Sequence, residues 1–165
     1  MCQDQLEDAE KSFQDALELH KQAQDVLGQA NDLRKLGELY MHRDQLEEAE
    51  KNFQDALELH KQAQSVIGKA NDLWDLGRLY MCQHQLEEAE KSLQDALELY
   101  EQAQSVLGQA NTHYDLGRLY MCCDQNNQAE NSLNTALALY KQINMQIYEA
   151  SVLELLSQLE IHNIN

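Results

Sequence analysis

The feature that most restricts the fold of this chain is its internal repetition, with a period of 40 residues. Residues 5–44, 45–84 and 85–124 align without a gap, and neighbouring units agree at roughly three quarters of positions. A fourth, diverged unit runs over 125–165. No linker and no shift of composition separates the units. Each unit is therefore one supersecondary building block, and the blocks stack into a single domain over 1–165.

Each unit reads as two amphipathic helices. Over 45–64, Leu46, Ala49, Phe53, Ala56, Leu57 and His60 recur at helical spacing. Glu47, Glu48, Glu50, Lys51, Asp55 and Glu58 fall largely outside that stripe. Over 65–84, Ser65 is a good N-cap, as are its equivalents Asp25 and Ser105. Ile67, Ala70, Leu73, Leu76, Gly77 and Tyr80 then form a second stripe. Pro is absent and Gly numbers only 6, which helices tolerate better than turn-rich β folds do. Neither helix can bury its stripe alone, so the pairs must stack. The expected fold is an all-α right-handed superhelix of antiparallel helix pairs, about eight helices in total. Gly37, Gly77 and Gly117 fall mid-helix, where Gly costs about 1 kcal/mol relative to Ala. Their recurrence at one phase predicts close helix approach, with Ala49, Ala89 and Ala129 facing them. His20 and His60 share a slot with Tyr100 and Tyr140 and read as packing residues.

These residues resemble the tetratricopeptide (TPR) signature. It appears as Leu73, Leu76-Gly77, Tyr80, Ala89, Leu93 and Ala96. It appears again as Leu33, Leu36-Gly37, Tyr40, Ala49, Phe53 and Ala56, and a third time as Leu116-Gly117, Tyr120, Ala129, Leu133 and Ala136, with His113 in the first slot. Lys61, Glu101 and Lys141 stand where that family often has Pro. The 40-residue period exceeds the family's usual one, so the helices should be about a turn longer, as in the 40-residue subclass of adaptor proteins. Arrays in NLR-like signalling ATPases are a looser comparison. The phase of the array predicts that the chain opens on the second helix of a pair, because Met1-Cys2-Gln3-Asp4 aligns with Met81-Cys82-Gln83-His84. It closes on a first-type helix near 146–162, as a piece of a longer array would.

The resemblance implies a protein- or peptide-binding scaffold whose Leu-Gly helices line a concave groove. The positions flanking that motif are Asn31, Arg34, Lys35, Glu38 and His42; Asn71, Trp74, Asp75, Arg78 and Cys82; and Asn111, Tyr114, Asp115, Arg118 and Cys122. Several of these differ between units that are otherwise nearly identical, as a recognition surface would. Trp74 and Tyr114 are the expected anchors, because aromatic residues and Arg dominate binding hot spots. The Lys/Asn pattern with which some TPR domains clamp a terminal carboxylate is not met by Arg34, Glu38, Asp75 and Arg118. An alternative is head-to-tail self-association through apolar faces of the end helices, represented by Leu6 and Phe13 at the start and Leu153 and Leu156 at the finish.

The formal net charge of −17 disfavours nucleic acid and anionic membrane surfaces, and makes a neutral or basic partner the easier one. No apolar run is long enough to span a membrane, and the N-terminus has no secretory pattern. Four Cys, two of them adjacent, read as reduced thiols of a cytoplasmic protein. No metal-ligand spacing, cofactor loop or nucleophile–base arrangement occurs, so neither a cofactor nor an enzymatic activity is expected.

Overall fold

The computed structural model describes residues 3–164, so the expectation placed on Met1 and Cys2 lies outside the described residues. The described residues form eight helices: α1 (Gln3–Gln22), α2 (Val26–His42), α3 (Leu46–Gln62), α4 (Val66–Cys82), α5 (Leu86–Gln102), α6 (Val106–Cys122), α7 (Asn126–Gln142) and α8 (Gln146–Ile164). None of them is long and apolar enough to cross a membrane.

Helices α2 to α7 are each 17 residues long, so each 40-residue unit is two similar halves. A tight turn closes each of α1 to α7 on a left-handed residue: Gln24, Asp44, Gln64, His84, Gln104, Asp124 and Asn144, with φ between 53° and 59°. The next N–H then reaches back to a carbonyl of the last helical turn, as from Ser65 to His60 (3.0 Å) and from Gln85 to Tyr80 (2.9 Å). A left-handed L-residue costs about 1–2 kcal/mol, and glycine is the usual solution. Here all six glycines lie inside helices instead. Helices α2, α4 and α6 are capped by side chains: Asp25, Ser65 and Ser105 accept from the N–H of Gly28, Gly68 and Gly108. Helices α3 and α5 lack such a cap and carry Glu47, Glu48, Glu87 and Glu88 in their first turns, where carboxylates complement the helix dipole.

Packing follows the pairs. Helix α2 lies most extensively on α3, α4 on α5 and α6 on α7. Next neighbours touch only along the even row, α2 with α4, α4 with α6 and α6 with α8, while α3, α5 and α7 do not reach one another. The even helices are therefore crowded on the inside of the curve, and the odd ones are splayed on the outside.

The glycines explain the closeness of the pairs. A Cβ at Gly77 would stand 2.7 Å from Leu93 and 3.3 Å from the Ala89 carbonyl oxygen. A Cβ at Gly37 would meet the Phe53 ring at 2.6 Å, and one at Gly117 would meet Leu133 at 2.6 Å. The approach is as close as the sequence predicted, but the side chain met first lies one turn beyond Ala49, Ala89 or Ala129. A second set, unnoticed in the sequence, does the same at the junction between pairs. A Cβ at Gly28, Gly68 or Gly108 would fall 2.5, 2.3 or 2.2 Å from the ring of His20, His60 or Tyr100. The fourth unit has Tyr148 in that slot, and its ring stacks on Tyr140 with centroids 5.1 Å apart. The predicted stripe also needs one correction. Ile67 is 43% exposed, as are Leu27 and Leu107 to a similar degree, while Leu79 is fully buried. Ile67 sits in the first turn of α4 beside Gly68, whose backbone the His60 ring covers, and its own side chain lies away from that contact.

His60 is buried, as expected of a packing residue, but it also makes a polar contact: its Nδ1 lies 2.5 Å from Asp72 Oδ2 across the α3–α4 junction. His20 and Asp32 repeat this contact at 2.5 Å. Where the slot holds Tyr, the bond turns back into the pair: Tyr100 Oη donates to Asn71 and Tyr140 Oη to Asn111, both at 2.7 Å. A separate ladder joins each even helix to the helix before it, with Tyr40, Tyr80 and Tyr120 donating to Glu10, Glu50 and Glu90.

Gly108→Ala tests the junction glycines. Intrinsic helix propensity favours Ala by about 1 kcal/mol, but overpacking against the Tyr100 ring costs about 1–3 kcal/mol. Denaturant unfolding should show the variant less stable; a gain in stability would contradict the packing assignment.

Candidate partner-binding face

The inner row α2, α4 and α6 carries all fifteen flanking positions named from the sequence. The structure divides them into two groups. Asn31, His42, Cys82, Cys122 and Arg118 are exposed, and Lys35, Glu38, Asn71, Trp74, Arg78, Asn111 and Tyr114 are partly so. Asp75 and Asp115 are buried, at 1% and 3% exposure, and face the neighbouring inner helix. They do not present their carboxylates to a partner as the sequence reading expected. Arg34, only 17% exposed at its side chain, is largely engaged as well.

The burial of these aspartates follows from one repeated contact. Arg34 Nη1 on α2 donates to Asp75 Oδ2 on α4 at 3.0 Å, and also to Glu38 at 2.7 Å. One repeat on, Trp74 Nε1 on α4 donates to Asp115 Oδ2 on α6 at 2.9 Å. Tyr114 is the next donor position, and the matching acceptor position holds Leu155; both pack at the edge of the main apolar cluster. The differences between units at these positions are thus coupled across the inner row. Burial pushes the Asp75 carboxyl up to about 6 against the opposing pull of Arg34. Burial also raises Asp115, opposed by Arg78 and Arg118.

The guanidinium groups close the arrangement. Arg78 lies over the Trp74 ring at 4.8 Å from its centroid, and Arg118 over the Tyr114 ring at 5.9 Å. Such cation–π stacking fixes a flexible side chain without engaging its N–H edge. Arg118 additionally bonds Asp115 Oδ1 at 3.1 Å, and Arg78 stands 3.7 Å from Asp75 Oδ1. Unit one reverses the chemistry: Lys35 pairs with Glu38 at 2.8 Å where later units have Arg.

Two depressions open here. A groove of about 490 Å³ is lined by Met41, Met81, Cys82, Leu86, Cys122 and both arginines, with His84 at its rim. A cleft of about 230 Å³ is lined by Trp74, Arg78, Tyr114 and Arg118, together with Tyr140 and Tyr148. Tyr140 and Tyr148 were not singled out in the sequence as binding residues. Their signal was the replacement of a recurring Gly by Tyr148. Among the described residues, no group of three or more His, Cys, Asp or Glu could hold a metal ion.

The end-helix residues are also placed. Leu6, Phe13 and Leu156 are half-buried, whereas Leu153 is 51% exposed. Ile161 at 63% and Ile147 at 82% add to the apolar surface of α8.

A family model described as tetratricopeptide repeat matches residues 28–102 and 69–142. No curated protein sequence matches the chain. Among solved structures, aspartyl phosphate phosphatase F from Bacillus subtilis is similar with a TM-score of 0.84 at 19% identity, over 93% of this chain and 41% of that one. BtubC (BKLC) from P. vanneervenii gives 0.76 at 17% identity, over 94% and 68%. A Rap protein complexed with competence and sporulation factor gives 0.72 at 21% identity, over 87% and 42%. The chain thus spans less than half the length of two of these three structures. At such identities the likeness shows the fold alone.

Proposed function

The chain belongs to the tetratricopeptide-repeat family, and from that membership we propose that it is a protein-interaction scaffold that holds a peptide or protein segment on its inner row. The observation that carries this reading is the state of the inner face. Its buried carboxylates are satisfied by neighbouring helices, and this leaves two ring-stacked arginines and the rims of Trp74 and Tyr114 beside an open cleft. Rigid aromatic and Arg side chains around a depression are what hot spots are built from. One of the similar structures is a complex with competence and sporulation factor, which supports a binding role for the fold. On this reading Asn31, Lys35, Glu38, His42, Asn71, Cys82, Asn111 and Cys122 form the rim around the Trp74–Tyr114 centre. Asp75 and Asp115 act as positioning residues. The test is titration of a verified partner against Trp74→Ala and Tyr114→Ala. Each should weaken binding at least tenfold, about 1.4 kcal/mol; unchanged affinity in both would sink the groove assignment.

A second reading, end-to-end association, has its own supporting observation. Helix α8 exposes Leu153 and Ile161, at positions equivalent to Leu73 and Met81. A second copy's α1, through Leu6 and Phe13, could cover that face together with Leu156, as α5 covers α4. Light scattering should then show mass rising with concentration, and Leu153→Glu should abolish the rise. A strict monomer at every concentration refutes it.

A further inference from the structure

A row of aliphatic side chains stays in water along one edge of the solenoid. Leu27, Ile67, Leu107 and Ile147 are each the second residue of an even helix, and they are 46%, 43%, 42% and 82% exposed. Their spacing is the 40-residue period, so the row runs the length of the array. It is not a product of an uncovered end: α4 and α6 have helices packed on both sides, yet Ile67 and Leu107 remain exposed. Unit four has Gln146 and Tyr148 in place of the flanking Val and Gly, and still holds Ile147. The edge around the row is nearly free of charge. Its connections and first turns, 23–28, 63–68, 103–108 and 143–148, hold a single charged residue, Asp25, whose carboxylate caps α2. The corresponding segments of the opposite edge, 43–48, 83–88 and 123–128, hold Asp44, Glu47, Glu48, Glu87, Glu88 and Asp124 against Arg43. Next to the row, Lys21 and Lys61 are paired with Glu18 and Glu58.

We infer that this edge is a self-association surface, on which a second copy of the chain docks antiparallel so that Ile67 meets Leu107 and Leu27 meets Ile147. Two molecules that each carry −17 repel where carboxylates face each other, and along this edge carboxylates are nearly absent. A row of constant period is complementary to itself when turned about a twofold axis, which here passes between α4 and α6. Even helices that touch have axes roughly 8–10 Å apart, so both rows have the same step and every side chain finds a counterpart. The same rotation sets Lys69 in unit two across from Glu101 in unit three, opposite charges at the margin of the contact. Parallel rows would set Lys69 against Lys69 and Glu101 against Glu101. The contact is small: apolar patches of about 300–600 Å² on a monomer often mark function, while interfaces burying less than about 1,200 Å² in total are weak and transient. The row is separate from the Trp74–Tyr114 cleft and from the end contact of Leu6, Phe13, Leu153 and Leu156, so it stands or falls without either.

Sedimentation velocity at about 0.15 M salt, from about 10 μM to about 1 mM protein, reads the assembly directly. The mass should rise from 19.0 kDa and level off at twice that value, because a twofold contact closes on itself. Ile67→Glu and Leu107→Glu should each weaken dimerisation at least tenfold. Both positions are exposed, and unchanged circular dichroism separates the effect from misfolding. Ile67→Lys combined with Leu107→Glu should recover part of the loss, since antiparallel docking brings the two substituted positions together. Leu153→Glu should leave the dimer unchanged. A monomer at every concentration would overturn the inference. So would association that survives Ile67→Glu with Leu107→Glu, or a charge-swapped pair no stronger than either single variant. Mass that grows past the dimer and falls back to the monomer with Leu153→Glu would also overturn it, in favour of end-to-end docking.

Discussion

A carboxylate removed from water must be met by a donor, and on the inner row of this solenoid the donor comes from the repeat before. Arg34 meets Asp75, and Trp74 meets Asp115. The rest of the inner face depends on these two contacts. They hold successive inner helices in register at the open edge of the row, where apolar packing alone would leave polar atoms unmatched. They also keep the Asp75 and Asp115 carboxylates inside the row. Desolvation works against this order, since burial pushes Asp75 up to about 6. The arrangement therefore holds only while its donors stay in place.

The outer part of the fold rests on shape. Six glycines, all within the even helices, let a ring or branched side chain from an odd helix lie directly on backbone. The turns between helices use no glycine at all. Seven left-handed residues of other types are held there by packing and by the returning N–H bonds. Glycine is thus reserved for close approach, and the left-handed strain is borne by the turns. The near-identity of the odd helices follows from this geometry, because each must fit the same backbone face.

Much of this was legible in the sequence. The period, the pairing, the helix caps at Asp25, Ser65 and Ser105 and the role of Gly77 all follow from residue type and spacing within one unit. What was not legible crosses from one unit to the next. Asp75 and Asp115 read as surface groups because charge at a variable position normally means exposure. Their burial depends on a donor 41 residues earlier. The signal was present as matched change: Arg34 with Asp75, Trp74 with Asp115, then Tyr114 with Leu155. The same kind of signal marks the other junction, where His20 and His60 go with Asp32 and Asp72, while Tyr100 and Tyr140 go with Thr112 and Val152. Comparing units position by position conceals such pairs; comparing them one repeat out of step reveals them. Ile67 was misplaced for a simpler reason, since a helical stripe does not say which of its edge positions the neighbouring helices cover.

The central claim, that the variable inner positions are coupled between repeats, is tested most directly by a double-mutant cycle on Arg34 and Asp75 followed by denaturant unfolding. Arg34→Leu alone removes the hydrogen-bond donor of the buried Asp75 carboxylate, leaving only Arg78 at 3.7 Å, and should cost about 3 kcal/mol. Combining it with Asp75→Leu should recover most of that loss, giving a coupling energy of about 2 kcal/mol or more. Additive losses within about 0.5 kcal/mol would show that the two residues act independently and would contradict the account.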